Sequence, residues 1–363
     1  MMQALHIVDT SLNLLGELTN YKSLRIKRLF HGVGDFQMEL SLDHPMLAKL
    51  QRDLILSPVG FPERAVMIED ISEEEGKDKA IVKGYTLSGI YKRRICVPPS
   101  SSAESYGYDR VIGNAETVMQ HYIKNNVTAP ESSARRIVCI VLEENQNRGM
   151  QDVAWSVRFE ELDTVLGQIG AYADCGFDIV PDSVQKKLVA RFLPGRDLTG
   201  ADGLRRVTFA STMGNVLSAT YSESGRKYKN AAVVAGAGED ENRLILNVGD
   251  ATGLERRETY VDGGSEEDPA QLRYKAEHNL AGKTLEQAIK AQTKDTPSCR
   301  YGVHWDLGDK VNVRRGDRLM RARITQIQES HEANKAVKLT ITFGEPPAGI
   351  ERVIADRTRT VVY

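Results

Sequence analysis

From Phe36 to Leu42 the chain alternates: Phe36, Met38, Leu40 and Leu42 are apolar, and Gln37, Glu39 and Ser41 between them are polar. A repeat of two sends successive side chains to opposite faces of an extended backbone, so this stretch predicts a strand with one buried and one wet face. The rhythm returns near the far end, where Val337, Leu339, Ile341 and Phe343 alternate with Lys338, Thr340 and Thr342. One-sided strands of this kind belong to antiparallel sheets packed on a core, which restricts the chain to β-rich architectures.

Other segments extend the pattern. Leu24, Ile26 and Leu29 lead into a Gly32-Val33-Gly34 turn, and residues 65–71 and 79–84 read as a hairpin around an acidic turn in which Gly76 is expected to take the positive φ. Further strands are expected at 136–142, 177–180, 187–193, 205–213, 216–221, 231–235, 243–248, 258–261 and 319–327, with Gly214-Asn215 closing a two-residue hairpin. Strands at such regular spacing suggest a barrel or sandwich.

Helical spacing interrupts the strands in three places. Asn114 is placed to cap a helix carrying Val118, Met119, Tyr122 and Ile123. Phe159, Leu162, Val165, Leu166, Ile169 and Tyr172 trace a second apolar stripe, ended by Gly176. After Asp268 and Pro269, Leu272, Ala276 and Leu280 predict a third helix, and Leu285, Ala288 and Ile289 a fourth, making a helical pair.

A chain of 363 residues is too long for one ordinary core. Pro98, Pro99 and the serines at 100–102 break the composition, so a boundary is expected near residue 97. The expected fold is α+β and β-rich: two β-barrel-like domains, at 1–97 and at 183–262 plus 300–345, with an inserted small α/β domain at 98–182, an inserted helical pair at 263–299 and a C-terminal arm at 346–363.

Lys and Arg total 48 against 50 Asp and Glu, which removes the global basic footprint of a nucleic-acid or anionic-membrane binder. Cys96, Cys139, Cys175 and Cys299 form no C-x-x-C pair and are expected to be reduced, scattered thiols. Asp9, Asn13, Glu17 and Asn20 interrupt the N-terminal leucines, so no signal peptide is expected, and no apolar run is long enough to span a bilayer.

The search for chemistry yields little. Gly236-Ala237-Gly238 follows an apolar strand, but Glu239-Asp240-Glu241 comes next and would repel a phosphate. The seven histidines are dispersed without metal-ligand spacing. Cys299, His304, Asp306 and Asp309 are the nearest approach to a nucleophile arrangement, with a spacing that does not suit one. The pairs Glu143-Glu144 and Glu266-Glu267 read as solvated loop charge. No catalytic, cofactor-binding or metal-binding residue is assigned.

Four stretches taken together carry more information. They are Tyr21-Lys22-Ser23-Leu24 with Arg28 to Leu42; Tyr228-Lys229-Asn230 with Val234-Ala235-Gly236-Ala237-Gly238-Glu239; Arg257-Glu258-Thr259-Tyr260-Val261-Asp262; and Asp306-Leu307-Gly308-Asp309-Lys310-Val311 with Thr342-Phe343-Gly344. In order and separation they resemble the siphovirus ReqiPepy6 gene-37-like proteins over essentially the whole chain. Ala237 stands where that family often has an acidic residue.

The resemblance implies a non-enzymatic phage tail-tip or baseplate hub protein, assembled in the bacterial cytoplasm as a homotrimeric ring under the tail tube. It implies the tail tube or distal tail protein and other tail-tip proteins as partners, with DNA passing through a central pore and no membrane insertion. On that reading the acidic turns at 73–75, 239–241 and 266–268 are candidates to face the pore. The alternatives are a tail-associated cell-wall hydrolase, for which about twenty residues after Phe343 leave no room for an added core, and a receptor- or carbohydrate-binding module, for which Trp155 and Trp305 are a thin aromatic supply.

Overall fold

The computed structural model describes residues 3–100, 107–201 and 205–344. The first seven strands are β1 (Leu5–Val8), β2 (Leu14–Leu18), β3 (Ser23–Leu29), β4 (Asp35–Leu40), β5 (Ile55–Pro58), β6 (Val66–Glu74) and β7 (Lys79–Thr86). They pair antiparallel in the order β3-β4-β7-β6-β5-β1-β2. The alternation read from sequence is what buries their inner face: Phe36, Met38 and Leu40 join Leu24, Ile26, Val66 and Val82 in one core. The β6–β7 turn forms where expected, but Asp78 and not Gly76 takes the left-handed conformation, at φ +45°. Its carboxylate accepts from the Ser41 hydroxyl and the Leu42 amide, which holds an aspartate in a region few side chains tolerate.

An α/β segment follows: β8 (Asp109–Gly113), α1 (Ala115–Ile123), β9 (Ile140–Leu142), β10 (Val153–Val157), α2 (Leu162–Ala173), β11 (Gly176–Asp182) and β12 (Lys187–Leu193). Asn114 caps α1 by accepting from the Thr117 amide. Asp174, at φ +51°, ends α2 in place of Gly176, which opens β11, and Phe159 lies outside the helix. The apolar stripes of both helices pack with Ile55, Met67, Leu87 and Tyr91, so the core runs unbroken past residue 97. Of the expected serine-rich linker, residues 101 and 102 lie outside the described residues, as does the whole expected arm at 346–363.

The remaining strands are β13 (Thr208–Phe209), β14 (Val216–Ser224), β15 (Ala231–Ala235), β16 (Ile245–Val248), β17 (Glu258–Asp262), then α3 (Pro269–Ala281), β18 (Glu286–Thr293), β19 (Lys310–Arg315), β20 (Arg318–Glu332) and β21 (Lys338–Gly344). Three expectations fail here. Leu285, Ala288 and Ile289 do not continue a helical pair: 286–293 is strand β18, held between β14 and β21. The strands at 231–262 are not part of the main sheet but form a separate three-stranded sheet covered by α3. Gly214-Asn215 closes no hairpin, because β13 pairs in parallel with β19 while β14 pairs with β18.

The strand-rich α+β class holds, and the sheets are not closed as barrels. Seven strands from the first half and six from the second (β13, β14, β18, β19, β20, β21) join through β3 and β20 into one 13-stranded sheet. Its main path has two ends, β2 and β14. No helix among the described residues is long and apolar enough to cross a membrane.

Candidate assembly site

Beneath the seam between β3 and β20 the side chains are charged. Arg28 follows Leu24 and Ile26 on the inward face of β3 and is 6% exposed. Its guanidinium donates to Asp306 Oδ1 at 2.9 Å and to the Tyr301 hydroxyl at 2.9 Å, and Asp178 Oδ2 lies 3.9 Å away. Arg28 comes from the first half-sheet, Asp306 and Tyr301 from the second half, and Asp178 from the α/β segment. One guanidinium therefore ties three parts of the chain together.

Tyr301 is shared with a second arginine. Arg64 is held between the Phe61 ring, 4.0 Å from its centroid, and the Tyr301 ring, 4.1 Å away, and donates to Glu329 Oε2 at 3.0 Å. Glu329 and His331 occupy the inward phase of β20 to which Thr325 and Ile327 also belong. Burial pushes the Tyr301 phenol well above its usual range, so it stays neutral between the two cations. A buried charge stripped of its partner is costly, which makes this set an all-or-none fastening.

Two further carboxylates, Asp174 and Asp309, lock the flanks through ion pairs. Asp174 binds Arg323 through both carboxylate oxygens at 2.5 and 2.6 Å and Lys310 at 2.7 Å. Burial would raise the Asp174 carboxyl, but Arg323 and Lys310 outweigh it and hold the group below the usual carboxylate range. Arg196 grips Asp309 at 2.5 and 3.0 Å, and Asp309 Oδ2 accepts from the Asp306 amide at 2.8 Å. The loop bearing Asp306 is thereby clamped from both sides.

This network was not singled out in the sequence, although a signal was there. Arg28, Glu329 and His331 stand in the apolar phase of alternating strands, where a charged residue needs a buried partner.

Most of the residues weighed for chemistry are occupied. Cys299 is buried, and burial pushes its thiol up. His304 Nδ1 accepts from the Arg300 amide at 2.9 Å, and Asp306 and Asp309 are held by Arg28 and Arg196. The amide of Ala237 donates to the Glu266 carbonyl, and Gly238, at φ +99°, turns the chain back toward β16. Glu143 and Glu266 are not solvated loop charge: Arg148 and Arg110 hold them at 2.6 and 3.0 Å. Glu266 thus leaves the set of candidate pore-facing acids, and Asp268 is spent capping α3. Trp155 is buried against His278 with ring centroids 3.9 Å apart, and Trp305 is 1% exposed, so neither offers a free face to a sugar. Among the described residues no three His, Cys, Asp or Glu side chains are grouped to hold a metal ion.

The family model described as Siphovirus ReqiPepy6 Gp37-like protein matches residues 4–345. The chain belongs to this family. No curated protein sequence matches it. Among solved structures, the fold is similar to a 43 kDa tail protein of prophage MuSo2 from Shewanella oneidensis, with TM-score 0.58 and 11% identity over 95% of this chain and 99% of that one. It is also similar to a tail protein from Neisseria meningitidis MC58, with TM-score 0.59 and 15% identity over 95% and 97%. A third is the prophage tail protein gp18 from Listeria monocytogenes EGD-e, with TM-score 0.50 and 12% identity over 99% of both chains.

In this family member the four marker stretches fold together in pairs. The first and last meet through Arg28 and Asp306. The second and third lie side by side as the parallel strands β15 and β17, where Asn230 Oδ1 accepts from the Arg257 amide. These stretches thus lie at structural joints of the fold. Among the described residues the outer strands of the sheet are left open: β2 pairs only with β1 and exposes Leu14 and Leu15, and β14 pairs only with β18 and exposes Leu217.

Proposed function

We propose that this protein is a non-enzymatic structural subunit of the tail tip or baseplate hub of a bacteriophage or phage-like particle. It assembles as a homotrimeric ring beneath the tail tube, joins the tube to other tail-tip proteins, and leaves a pore through which DNA passes. The observation that carries this reading is the open sheet of two comparable halves, seven strands and six, whose edge strands β2 and β14 carry exposed leucines.

An unpaired strand edge with apolar side chains is a pairing surface that proteins ordinarily cover. Three copies of a two-part subunit around an axis would present six similar surfaces to a sixfold tube, with edges covered by neighbours. Family membership and the tail-protein fold support the same assignment. Sedimentation and negative-stain imaging of the purified chain test it: a threefold ring with a central hole is expected, and a compact monomer at high concentration would overturn the reading.

A further inference from the structure

Two hairpins of the main sheet carry opposite charge. Residues 310–323, spanning β19, its turn and the start of β20, hold six basic residues and one acid. Residues 69–78, the end of β6 and its turn, hold six acids and one lysine. Of the first set, Arg314, Arg315, Arg318 and Arg321 are exposed and take part in no ion pair among the described residues; Arg315 instead covers the Tyr221 ring at 4.2 Å. Of the second, Asp70, Glu73 and Glu75 are exposed and unpaired in the same sense.

The register places these tips at opposite ends of the sheet. Ser23, the first residue of β3, pairs with Glu39 at the end of β4, Leu40 pairs with Ala80, and Lys79 with Glu74, so the acidic turn lies beyond the start of β3. Leu29, the last residue of β3, pairs with Gln326, so the part of β20 before it, with the basic turn, extends past the other end. The acidic tip belongs to the first half-sheet and the basic tip to the second. Within one copy they lie at opposite ends of the strands.

We propose that the basic β19–β20 hairpin of one copy docks on the acidic β6–β7 hairpin of a second copy of this chain. The contact is heterologous, joining the second half of one subunit to the first half of the next, which is the contact a closed ring of alternating halves repeats. Opposite charge at the two tips steers the approach and sets the register, and like-charge pairing disfavours the reversed arrangement. This rests on the ring reading and names the surfaces that form it.

The test is sedimentation velocity of the full chain at low salt. Arg314→Glu with Arg318→Glu, and separately Glu73→Arg with Glu75→Arg, are each expected to weaken assembly by roughly tenfold or more. The fourfold swap in one chain is expected to restore it, and Glu239→Arg with Glu241→Arg to leave it unchanged. Raising salt to about 0.5 M is expected to weaken the wild-type assembly as the pair variants do, a readout that needs no substitution. Pair variants that assemble like wild type, or a fourfold swap that fails to restore assembly, overturn this inference while the ring reading stands. So does an arginine variant that assembles normally but loses retention of short duplex DNA, which would assign the basic hairpin to nucleic acid. A wild-type chain that stays monomeric overturns both.

Discussion

Arg28 and Asp306 are 278 positions apart in sequence and 2.9 Å apart in space. Arg28 is the last inward-facing residue of β3, on a face otherwise made of Leu24 and Ile26, and Asp306 sits on a loop that Arg196 and Asp309 hold in place. The pair, with Tyr301 and Asp178, converts the meeting of two half-sheets into a fastening with fixed geometry.

Arg28→Ala should therefore destabilise the protein by about 3–5 kcal/mol, because it leaves the Asp306 carboxylate without its cation and the Tyr301 hydroxyl without its donor, while Asp178 keeps its two-point contact with Arg191. Replacing Arg28 by Met together with Asp306 by Leu should cost less than Arg28→Ala alone, since no unpaired charge remains. Urea unfolding midpoints of the variants decide this. Equal losses in the two would sink the idea that the charge needs its partner.

Glu116 in α1 is fully buried and bound by Arg148, with the Arg148 and Gln146 amides also donating to it. Burial would raise its pKa, but these partners prevail and hold the carboxyl below the usual glutamate range. A depressed carboxyl contributes stability above its unfolded pKa of about 4.3 and loses it as pH falls through the folded value. Wild type should thus lose stability on acidification below about pH 5 more steeply than Glu116→Gln. Unfolding free energy measured from pH 7 to pH 3 checks this, and parallel curves would contradict it.

Burial pushes the thiols of Cys96 and Cys175 up to about 12. A thiol so far from ionising is a poor nucleophile, and neither is exposed. In the native protein at pH 8 both should resist a thiol-disulfide reagent for hours, and all four cysteines should react at once in guanidinium. Mass spectrometry of the labelled peptides gives the answer, and rapid native labelling of Cys96 would show that the core it belongs to opens readily.

Gly308 has φ +87°, and a Cβ there would come within 2.2 Å of the Phe30 ring, which is wholly buried. Gly308→Ala combines a strained backbone with a clash that the packed ring cannot avoid, and should cost about 2 kcal/mol or more. A thermal melt of the variant tests it. An unchanged midpoint would mean that the loop is looser than its contacts indicate.

Alternation along residues 23–42 and 337–343 is a property of neighbouring residues, and it was sufficient to read those strands, the β3–β4 and β6–β7 hairpins and the strand-rich class without a structure. The Asn114 cap and the stripe of α2 are local in the same sense. Segment 286–293 shows where this stops. Leu285, Ala288 and Ile289 fit a helical face, but Ile289, Ala291 and Thr293 also fit the inner face of a strand, and flanking pairing with β14 and β21 selects the latter. Pairing depends on partners far along the chain, as does the parallel seating of Thr208 against Asn312. The same holds for the charged seam. An arginine in an apolar phase announces that a buried counter-charge must exist, but Asp306, Asp178 and Glu329 could be matched to Arg28 and Arg64 only once long-range packing had brought the halves together, because Coulomb energy follows distance in space and not along the chain.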